Sequence, residues 1–525
     1  MCAVSDTLYF RVLETSSHEA DPGTNLPEGW RLDRISSRKE RQAFYDTFEN
    51  QAYQKELLVV RKNGHIEVCS LETGKLIAEA SLPGTPSFFF PASLPAGEAR
   101  KMLLECSNIR AFMRSCSIDV MISSWRVLDD NQKTVAILNS ESLYPTDVKS
   151  PDAVARFHSI TPLKGYHREL ARILRALPEP VDAYRINGFR ERYLHIIESC
   201  GYIVGGYSAK VRLQLDPEAT IHENVRRLLQ FTTSVMQANE QGIRKNIDTE
   251  FLHDYRVALR RSRSILRQLT GVFDPHRTAW ALAGLRELGK KTNRLRDNNV
   301  CLLEKERYLD MVPPSLKPSL ARFFDDLSNE RRVLQRQFCN HLSSSEYRKF
   351  MTEWDAFINE EELPDQERAP NSAISTKIVA AKAIRKAWKK VIAHGRRIGT
   401  KAADKELHEL RIDCKRLRYL LEFFSSLFPQ KASGRLVNYL KELQDNLGEF
   451  VDISVQLDFL LGRIESIHAT KDGILLAAAI GSLTASLFRE LELAREKFGE
   501  TFSKFDDEPA RELFDELLTG LKQIE

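Results

Sequence analysis

The chain has 525 residues, of which 42% are hydrophobic and 29% are charged. A chain of this length exceeds what one hydrophobic core normally serves, so we expect two or more folded domains and not a disordered protein. The 77 basic and 73 acidic residues leave a net charge of +4, which excludes a uniform basic coat of the histone kind but allows a local basic site.

Cysteine usage and hydropathy indicate the cellular compartment. The eight cysteines include no Cys-x-x-Cys pair, so we expect reduced thiols in a cytoplasmic protein and no structural zinc site. Asp6, Arg11 and Glu14 stand where a signal peptide needs an apolar core. The run 473–488, about 16 residues, is too short to span a membrane and contains Ser and Thr, which predicts a buried helix. We therefore expect no membrane partner.

In the first 205 residues, short runs rich in β-branched and aromatic residues alternate with turn signals. Strands are predicted at 7–13, 56–61, 65–71, 118–128 and 134–138, with turns at Asn63-Gly64 and Thr73-Gly74. Two helices, at 167–177 and 188–200, are predicted to close this part of the chain. The pattern is typical of strands joined by hairpins.

From about residue 215 a 3.6-residue hydrophobic period continues to the C-terminus, with its main breaks at Pro313-Pro314 and 362–370. This half is predicted to be all-α. The fold class is therefore predicted to be α+β with two domains, an antiparallel β domain at 1–205 and a helical bundle at 215–520.

The helical half contains an internal duplication. The segment 253–263 aligns with 408–418 at an offset of 155. The same offset, without a gap, places Leu285, Glu287, Leu288, Asp297 and Val300 on Leu440, Glu442, Leu443, Asp452 and Val455. One register held over so long a span predicts two copies of one unit. We call them the first repeat, about 215–345, and the second repeat, about 372–520.

Each repeat contains a helix with a basic stripe. Thr249 and Asp404 are good N-cap residues, so the two helices are predicted to begin just after them. The helical period places on one face His253, Arg256, Arg260, Arg263 and Arg267 in the first helix, and His408, Arg411, Lys415 and Arg418 in the second. Glu422 stands where the first helix has Arg267, so the second stripe is shorter.

Like charges stacked on one helix face repel one another, so such a stripe is most easily understood if a polyanion lies along it. Arginine suits this task because its planar fork donates two hydrogen bonds to phosphate oxygens. The plainer alternatives are a solvated basic surface, histidines that cap or pack, and Asp297 and Asp452 as structural partners of arginines. Further cations either line the same groove or face solvent: Lys290, Lys291, Arg294, Lys382, Arg385, Lys386, Lys389 and Lys390.

With both basic motifs in register, residues 215–520 strongly resemble CHAD domains. The resemblance implies an antiparallel bundle of long helices with pseudo-twofold symmetry, which binds inorganic polyphosphate. It implies as binding residues His253, Arg256, Arg260, Arg263, His408, Arg411, Lys415 and Arg418. The candidate set is completed by Arg261, Arg267, Lys290, Arg294, Lys382, Lys386, Lys389 and Arg416. Asn293 departs from the family pattern, which the second repeat keeps at Gly448.

The N-terminal half is similar, in the kind and order of its motifs, to the CYTH or triphosphate-tunnel domain. The motifs are Tyr45-Asp46-Thr47, the run 57–61, Arg126 and the run 162–166. The family holds a divalent metal against a triphosphate with paired glutamates on the first strand of a β tunnel. The run 6–14 has no Glu-x-Glu-x-Lys, and Glu67 or Cys69 replaces the usual strand lysine. A degenerate tunnel or barrel is therefore predicted.

The preferred function is a non-catalytic polyphosphate-binding protein without cofactor, metal or catalytic residue. The alternative is a metal-dependent triphosphatase or phosphohydrolase that acts through the N-terminal domain. A third hypothesis is a helical adaptor; the modest net charge and the lack of aromatics beside the stripe disfavour nucleic acid, whereas a protein partner stays open. We expect a cytoplasmic protein, and its association with polyphosphate granules is left open.

Overall fold

The computed structural model describes residues 7–12, 26–146, 153–176, 183–398, 403–465, 467–468 and 470–520. The chain divides into two compact units, 1–208 and 209–525. An antiparallel sheet domain is followed by a helical domain, which confirms the α+β two-domain layout predicted from the sequence.

Within the described residues, the N-terminal unit contains ten strands: β1 (Leu8–Val12), β2 (Arg31–Asp46), β3 (Leu57–Lys62), β4 (His65–Ser70), β5 (Leu76–Ser81), β6 (Phe88–Phe89), β7 (Phe112–Leu128), β8 (Thr134–Pro145), β9 (Ala155–Pro162) and β10 (Ala183–Ile186). Its described helices are α1 (Gln51–Gln54), α2 (Glu98–Cys106), α3 (His167–Ala176) and α4 (Phe189–Ser199). The predicted strands correspond to β1, β3, β4 and parts of β7 and β8, and the predicted helices to α3 and α4. Residues 6, 13, 14 and 177 of these predictions lie outside the described residues.

The sheet packs one face against α4 and stays open. The strand order is β10-β1-β9-β8-β7-β2-β3-β4-β5, with β6 beside β7. Tyr193, Ile196 and Ile197 of α4 share one buried core with Phe44 of β2 and Ile118 of β7. Among the described residues no pairing joins the end strands β5 and β10, so the predicted closed tunnel or barrel is not formed. Because α4 covers the apolar side chains of this face, the sheet buries them without closure.

Strand β2 is not predicted by the sequence. Most of its first half is exposed and half of those eight residues are charged, so it lacks the apolar alternation that marks a strand. It pairs with β7 along almost its whole length. Asp119 of β7 accepts from Lys39 and from Arg41, both at 2.7 Å. Cross-strand pairing with a distant segment, and not local sequence, makes this stretch a strand.

The described helices of the second unit are α5 (Ile221–Arg244), α6 (Thr249–Gln268), α7 (Pro275–Leu303), α8 (Lys305–Asp310), α9 (Lys317–Leu342), α10 (Ser345–Asn359), α11 (Thr376–Arg397), α12 (Asp404–Phe423), α13 (Gln430–Ile464), α14 (Lys471–Phe505) and α15 (Glu508–Gly520). The two predicted breaks fall between α8 and α9 and between α10 and α11. Helices α6 and α12 carry the two basic stripes.

The basic helices each start one residue earlier than predicted. Asp248 is the N-cap of α6, because its carboxylate accepts from two backbone N–H groups of the first turn, so Thr249 is already helical. In α12 the N-cap is Ala403, and Asp404 pairs with Arg495 instead of capping. The prediction of Thr249 and Asp404 as caps is wrong by one position. In α6 the residue just before, an aspartate, is the stronger cap type.

Helix α14 is buried on one side only. Ile480, Leu483 and Leu487 are buried, whereas Ile474 and Phe488 are 64% and 47% exposed. Among the described residues α14 is the one helix that is long and apolar enough to cross a membrane, with 33% of its most apolar stretch buried. The prediction of a buried helix at 473–488 therefore holds for one face, which packs on α13 and α9, and is wrong for the other.

The helices of the first repeat and those of the second repeat meet at the starts of α5 and α11. An antiparallel bridge joins Thr220 and Ser375, and the buried Asn224 Nδ2 donates to Thr376 Oγ1 at 2.9 Å. Helix α6 packs on α5, α12 packs on α11, and α6 and α12 contact each other. These contacts bring the two basic helices side by side.

Alanine substitutions at two helical glycines should change the free energy of unfolding in opposite directions and so test the packing of α14 on α11. A Cβ at Gly395 of α11 would lie 1.9 Å from Phe502 Cε2, whereas nothing lies within 4 Å of one at Gly499 of α14. We expect Gly395→Ala to lower the free energy of unfolding by about 1–3 kcal/mol through overpacking. Gly499→Ala should raise it by about 0.5–1 kcal/mol through helix propensity. Urea unfolding of both variants measures the difference, and equal effects would contradict the α11–α14 contact.

Candidate functional site

Helices α6 and α12 turn their basic faces toward one cavity. Tyr255 and Leu259 of α6 and Leu410 and Leu417 of α12 are buried, so the apolar faces are anchored in the core and the basic faces are left over the space between the helices. We call this space the central cavity; its volume is about 340 Å³. Its cationic lining residues are His253, Arg256, Arg260, Arg296, Arg411 and Lys415.

A second cavity of about 270 Å³ adjoins the first one, and its lining residues come from α6 and α7 of the first repeat. We call it the side cavity. Arg256 and Arg260 line both cavities, and Arg263, Arg286 and Lys290 line the side cavity. Because Arg256 and Arg260 border both spaces, the two cavities are direct neighbours, and we call the pair the basic groove.

Arg256 is fixed in the wall between the cavities. Its Nη1 donates to Asn293 Oδ1 at 3.0 Å and to the carbonyl oxygen of Gly289 at 3.2 Å, and it also donates to Thr292 Oγ1. Burial, together with the neighbouring charge of Arg260, lowers the pKa of Arg256 to about 10. These neutral acceptors orient the guanidinium without cancelling its charge.

Lys415 carries a charge that the surrounding groups disfavour. Burial lowers the pKa of Lys415 to about 8, and the neighbouring charges of Arg411 and Arg260 act in the same direction. Within the described residues no carboxylate lies within 4 Å of its ammonium. Asp452 pairs instead with Arg411 at 2.9 Å. A bound anion would restore the charged form of Lys415.

Three arginines of the predicted set are paired with acids outside the cavities. Arg261 donates to Glu422 at 2.9 Å, and Arg418 donates to the same carboxylate at 2.6 Å. Arg416 donates to the buried Asp413 at 3.1 Å. A carboxylate that is paired with a guanidinium offsets its positive charge and uses some of its N–H donors. Such an arginine therefore attracts another anion less strongly. The structure therefore places these three residues in contacts that stabilise the bundle.

The remaining predicted residues line neither cavity. Arg294 pairs with Glu330 of α9 at 2.6 Å. The others are Arg267, Lys382, Lys386, Lys389 and His408, which are all exposed. Of the sixteen predicted positions, the groove brings together His253, Arg256, Arg260, Arg263, Lys290, Arg411 and Lys415. Each basic stripe thus extends beyond the cavity that it lines.

Two groove residues are missing from the predicted set. Arg286 and Arg296 lie on α7, and Gly289 and Asn293 follow the same helical spacing and line the side cavity with Arg286. The predicted set includes Lys290 and Arg294 of the same helix but neither of these arginines, although the helical spacing of Arg286, Gly289, Asn293 and Arg296 marks one face of α7.

The donor set of the groove suits an anion. Its basic groups are guanidinium, ammonium and imidazole, and its carboxylates, Asp297 and Asp452, lie close to Arg256 and Arg411. Among the described residues, no group of three or more His, Cys, Asp or Glu side chains is arranged to hold a metal ion.

Family comparison agrees with the helical architecture. Residues 227–461 match the family described as the CHAD domain. The matched residues lie within the helical unit. Two uncharacterised proteins, from two strains of Mycobacterium tuberculosis, are each 29% identical over 170 residues. The match covers 32% of this chain and 33% of each relative, so it spans about a third of the length of these proteins.

Two solved structures resemble the chain. The crystal structure of the CHAD domain from the plant Ricinus communis has a TM-score of 0.42 at 22% identity, and covers 60% of this chain and 96% of that one. PptA from Streptomyces chartreusis has a TM-score of 0.41 at 14% identity, and covers 54% of this chain and 97% of that one.

The low pKa of Lys415 is open to direct measurement. Neutral amines react with acetic anhydride, so the labelling of Lys415, followed by mass spectrometry against pH, should have its midpoint near the pKa of about 8. Arg411→Ala removes a like charge and should raise this midpoint, whereas Asp452→Asn removes an opposite charge and should lower it. A midpoint that is the same in all three proteins would contradict the electrostatic account.

Proposed function

We propose that the helical unit binds inorganic polyphosphate in the basic groove. The observation that carries this proposal is the convergence of cations from both basic helices on the central cavity, with Arg260 and Lys415 free of acidic partners within the described residues. The CHAD family is linked to polyphosphate binding, and residues 227–461 of this chain match that family.

The chemistry of the groove fits a chain of phosphates. Arginines donate paired hydrogen bonds to phosphate oxygens, and lysine adds a mobile point charge. Polyphosphate presents no bases, so its recognition needs neither stacking aromatics nor groups that read base edges. Binding would relieve the repulsion among Arg260, Arg411 and Lys415, which is the physical reason for holding these charges together.

We propose further that the two repeats are related by an approximate twofold axis through the Thr220–Ser375 bridge. These two residues are equivalent at the offset of 155, and they pair with each other antiparallel. Pairing of equivalent positions is what a twofold axis produces. Such an axis accounts for the approach of α6 and α12, and thus for a single groove built from two motifs.

We propose that the helical unit binds polyphosphate without hydrolysing it, and that the N-terminal unit is a degenerate CYTH-like scaffold or second contact surface. One observation favours the alternative, a phosphohydrolase. A cavity of about 300 Å³ in that unit is lined by both acids and cations: Arg38, Glu40, Lys62, Glu141 and Arg192. Gln42 donates to Glu40 at 2.7 Å and Arg192 donates to Glu141 at 3.1 Å, so both carboxylates have partners.

Phosphate release decides between these two functions. The full chain would be incubated with tripolyphosphate and Mg²⁺ or Mn²⁺, beside a Glu40→Gln, Glu141→Gln double variant. We expect no release above background from either protein. Release by the native chain that the double variant loses would establish the alternative.

Charge removal in the groove should weaken polyphosphate binding. We expect Arg260→Gln and Lys415→Gln each to lower the affinity about tenfold, since hydrogen bonds to charged groups contribute about 1.5–3 kcal/mol. The logarithmic dependence of affinity on salt should become shallower by about one unit per cation removed. Isothermal titration calorimetry at several salt concentrations measures both effects.

The matched controls remove the same charges elsewhere. Arg336→Gln on α9 and Lys349→Gln on α10 change exposed residues that line neither cavity, and should leave the affinity within about twofold. Equal losses in control and groove variants would contradict the site. Competition by DNA of the same charge density, at equal affinity, would contradict the choice of polyphosphate as the ligand.

A further inference from the structure

The side cavity is lined by residues of the first repeat. Gly289 is one of its lining residues, and the position 155 residues later in the second repeat is Gln444. Lys290 corresponds in the same way to Asp445. These are changes of size and of charge at positions that border the groove, so the two repeats cannot offer the same surface to an anion.

Gly289 leaves space in front of Arg263. A Cβ at Gly289 would lie 3.6 Å from Arg263 Nη1 and 3.5 Å from Leu259 Cδ2, so any longer side chain would enter this space. Within the described part of the chain, the buried Nε of Arg263 has no hydrogen-bond partner. Burial and the charges of Arg267 and Arg286 lower the pKa of Arg263. Arg263 also lines the side cavity and has no acidic partner among the described residues, so its guanidinium is available to an anion there.

Gln444 closes the corresponding position in the second repeat. Its Oε1 accepts from Arg418 Nη1 at 3.1 Å, and its Nε2 donates to the carbonyl oxygen of Cys414 at 2.7 Å. Glu422 accepts from Arg418 Nε at 2.6 Å. Arg418 is the counterpart of Arg263, but its Nη1 already donates to an amide and its Nε to a carboxylate. Asp445 adds a negative charge where the first repeat has a positive one.

We infer that the anion path is one-sided: a linear polyanion extends from the central cavity into the side cavity of the first repeat, and no equivalent path runs along the second repeat. This inference rests on the proposed function. A chain of linked phosphates spans both cavities at once, and the linkage makes the second contact intramolecular. A compact anion such as pyrophosphate gains far less from this linkage. Affinity should therefore rise with chain length, and the rise should depend on Arg263 and Gly289.

The test compares equivalent positions in the two repeats. Calorimetry on the full chain would measure the affinity for long-chain polyphosphate and for pyrophosphate in Arg263→Gln and Arg418→Gln, with Arg336→Gln as the surface control. We expect Arg263→Gln to lower the polyphosphate affinity about tenfold and Arg418→Gln to lower it less than about threefold, although both remove one arginine.

Gly289→Gln copies the second repeat onto the first without changing charge. It should fill the side cavity and lower the ratio of long-chain polyphosphate affinity to pyrophosphate affinity by about tenfold. Circular dichroism and thermal unfolding verify that each variant is folded. If Arg418→Gln does not fold, Gly289→Gln still decides the question.

The outcomes separate this inference from the proposed function. Equal losses in Arg263→Gln and Arg418→Gln, or an unchanged affinity ratio in Gly289→Gln, would overturn the one-sided path while polyphosphate binding by the native chain stands. A native chain that binds no polyphosphate would overturn the proposed function itself.

Discussion

Burial of the apolar faces of α6 and α12 is the constraint on which the groove depends. Each fully buried leucine or tyrosine contributes about 1.5–3 kcal/mol, and these contacts hold the opposite, basic faces over a shared space. The cations there are partly removed from water and lie close to one another. The lowered pKa values of Arg256 and Lys415 express this cost. Hydrophobic burial thus offsets an electrostatic strain that a polyanion would relieve.

The two repeats resolve this strain differently. In the second repeat acids pair with several cations of α11 and α12: Asp452 with Arg411, Glu422 with Arg418, and the buried Asp413 with Arg416 and Lys390. In the first repeat Arg256 has neutral acceptors, and no carboxylate pairs with Arg260 or Arg263 among the described residues. Ion pairs therefore hold several arginines of α12, whereas α6 keeps Arg260 and Arg263 without acidic partners among the described residues.

The N-terminal unit obeys a different constraint. Its sheet has an apolar face that needs a cover, and α4 supplies it. The part of this face that α4 leaves uncovered is polar, and its acids accept from Gln42 and Arg192. An open sheet with a helix on its inner face therefore buries its core and keeps a solvated cavity at the same time.

The sequence by itself determined the α+β order, the helical period, five of the ten described strands, and the basic stripes, because each of these follows from spacing within one segment. It could not determine β2, whose strand depends on pairing with β7, or the open sheet. It also could not show which of the basic residues are ion-paired and which are available to an anion. Arg261, Arg416 and Arg418 have the same charge as the groove arginines and lie on the same two helices, but each of them is paired with an acid on its own or a neighbouring helix. Which arginines remain available to an anion depends on contacts between distant segments, and only the tertiary structure decides those.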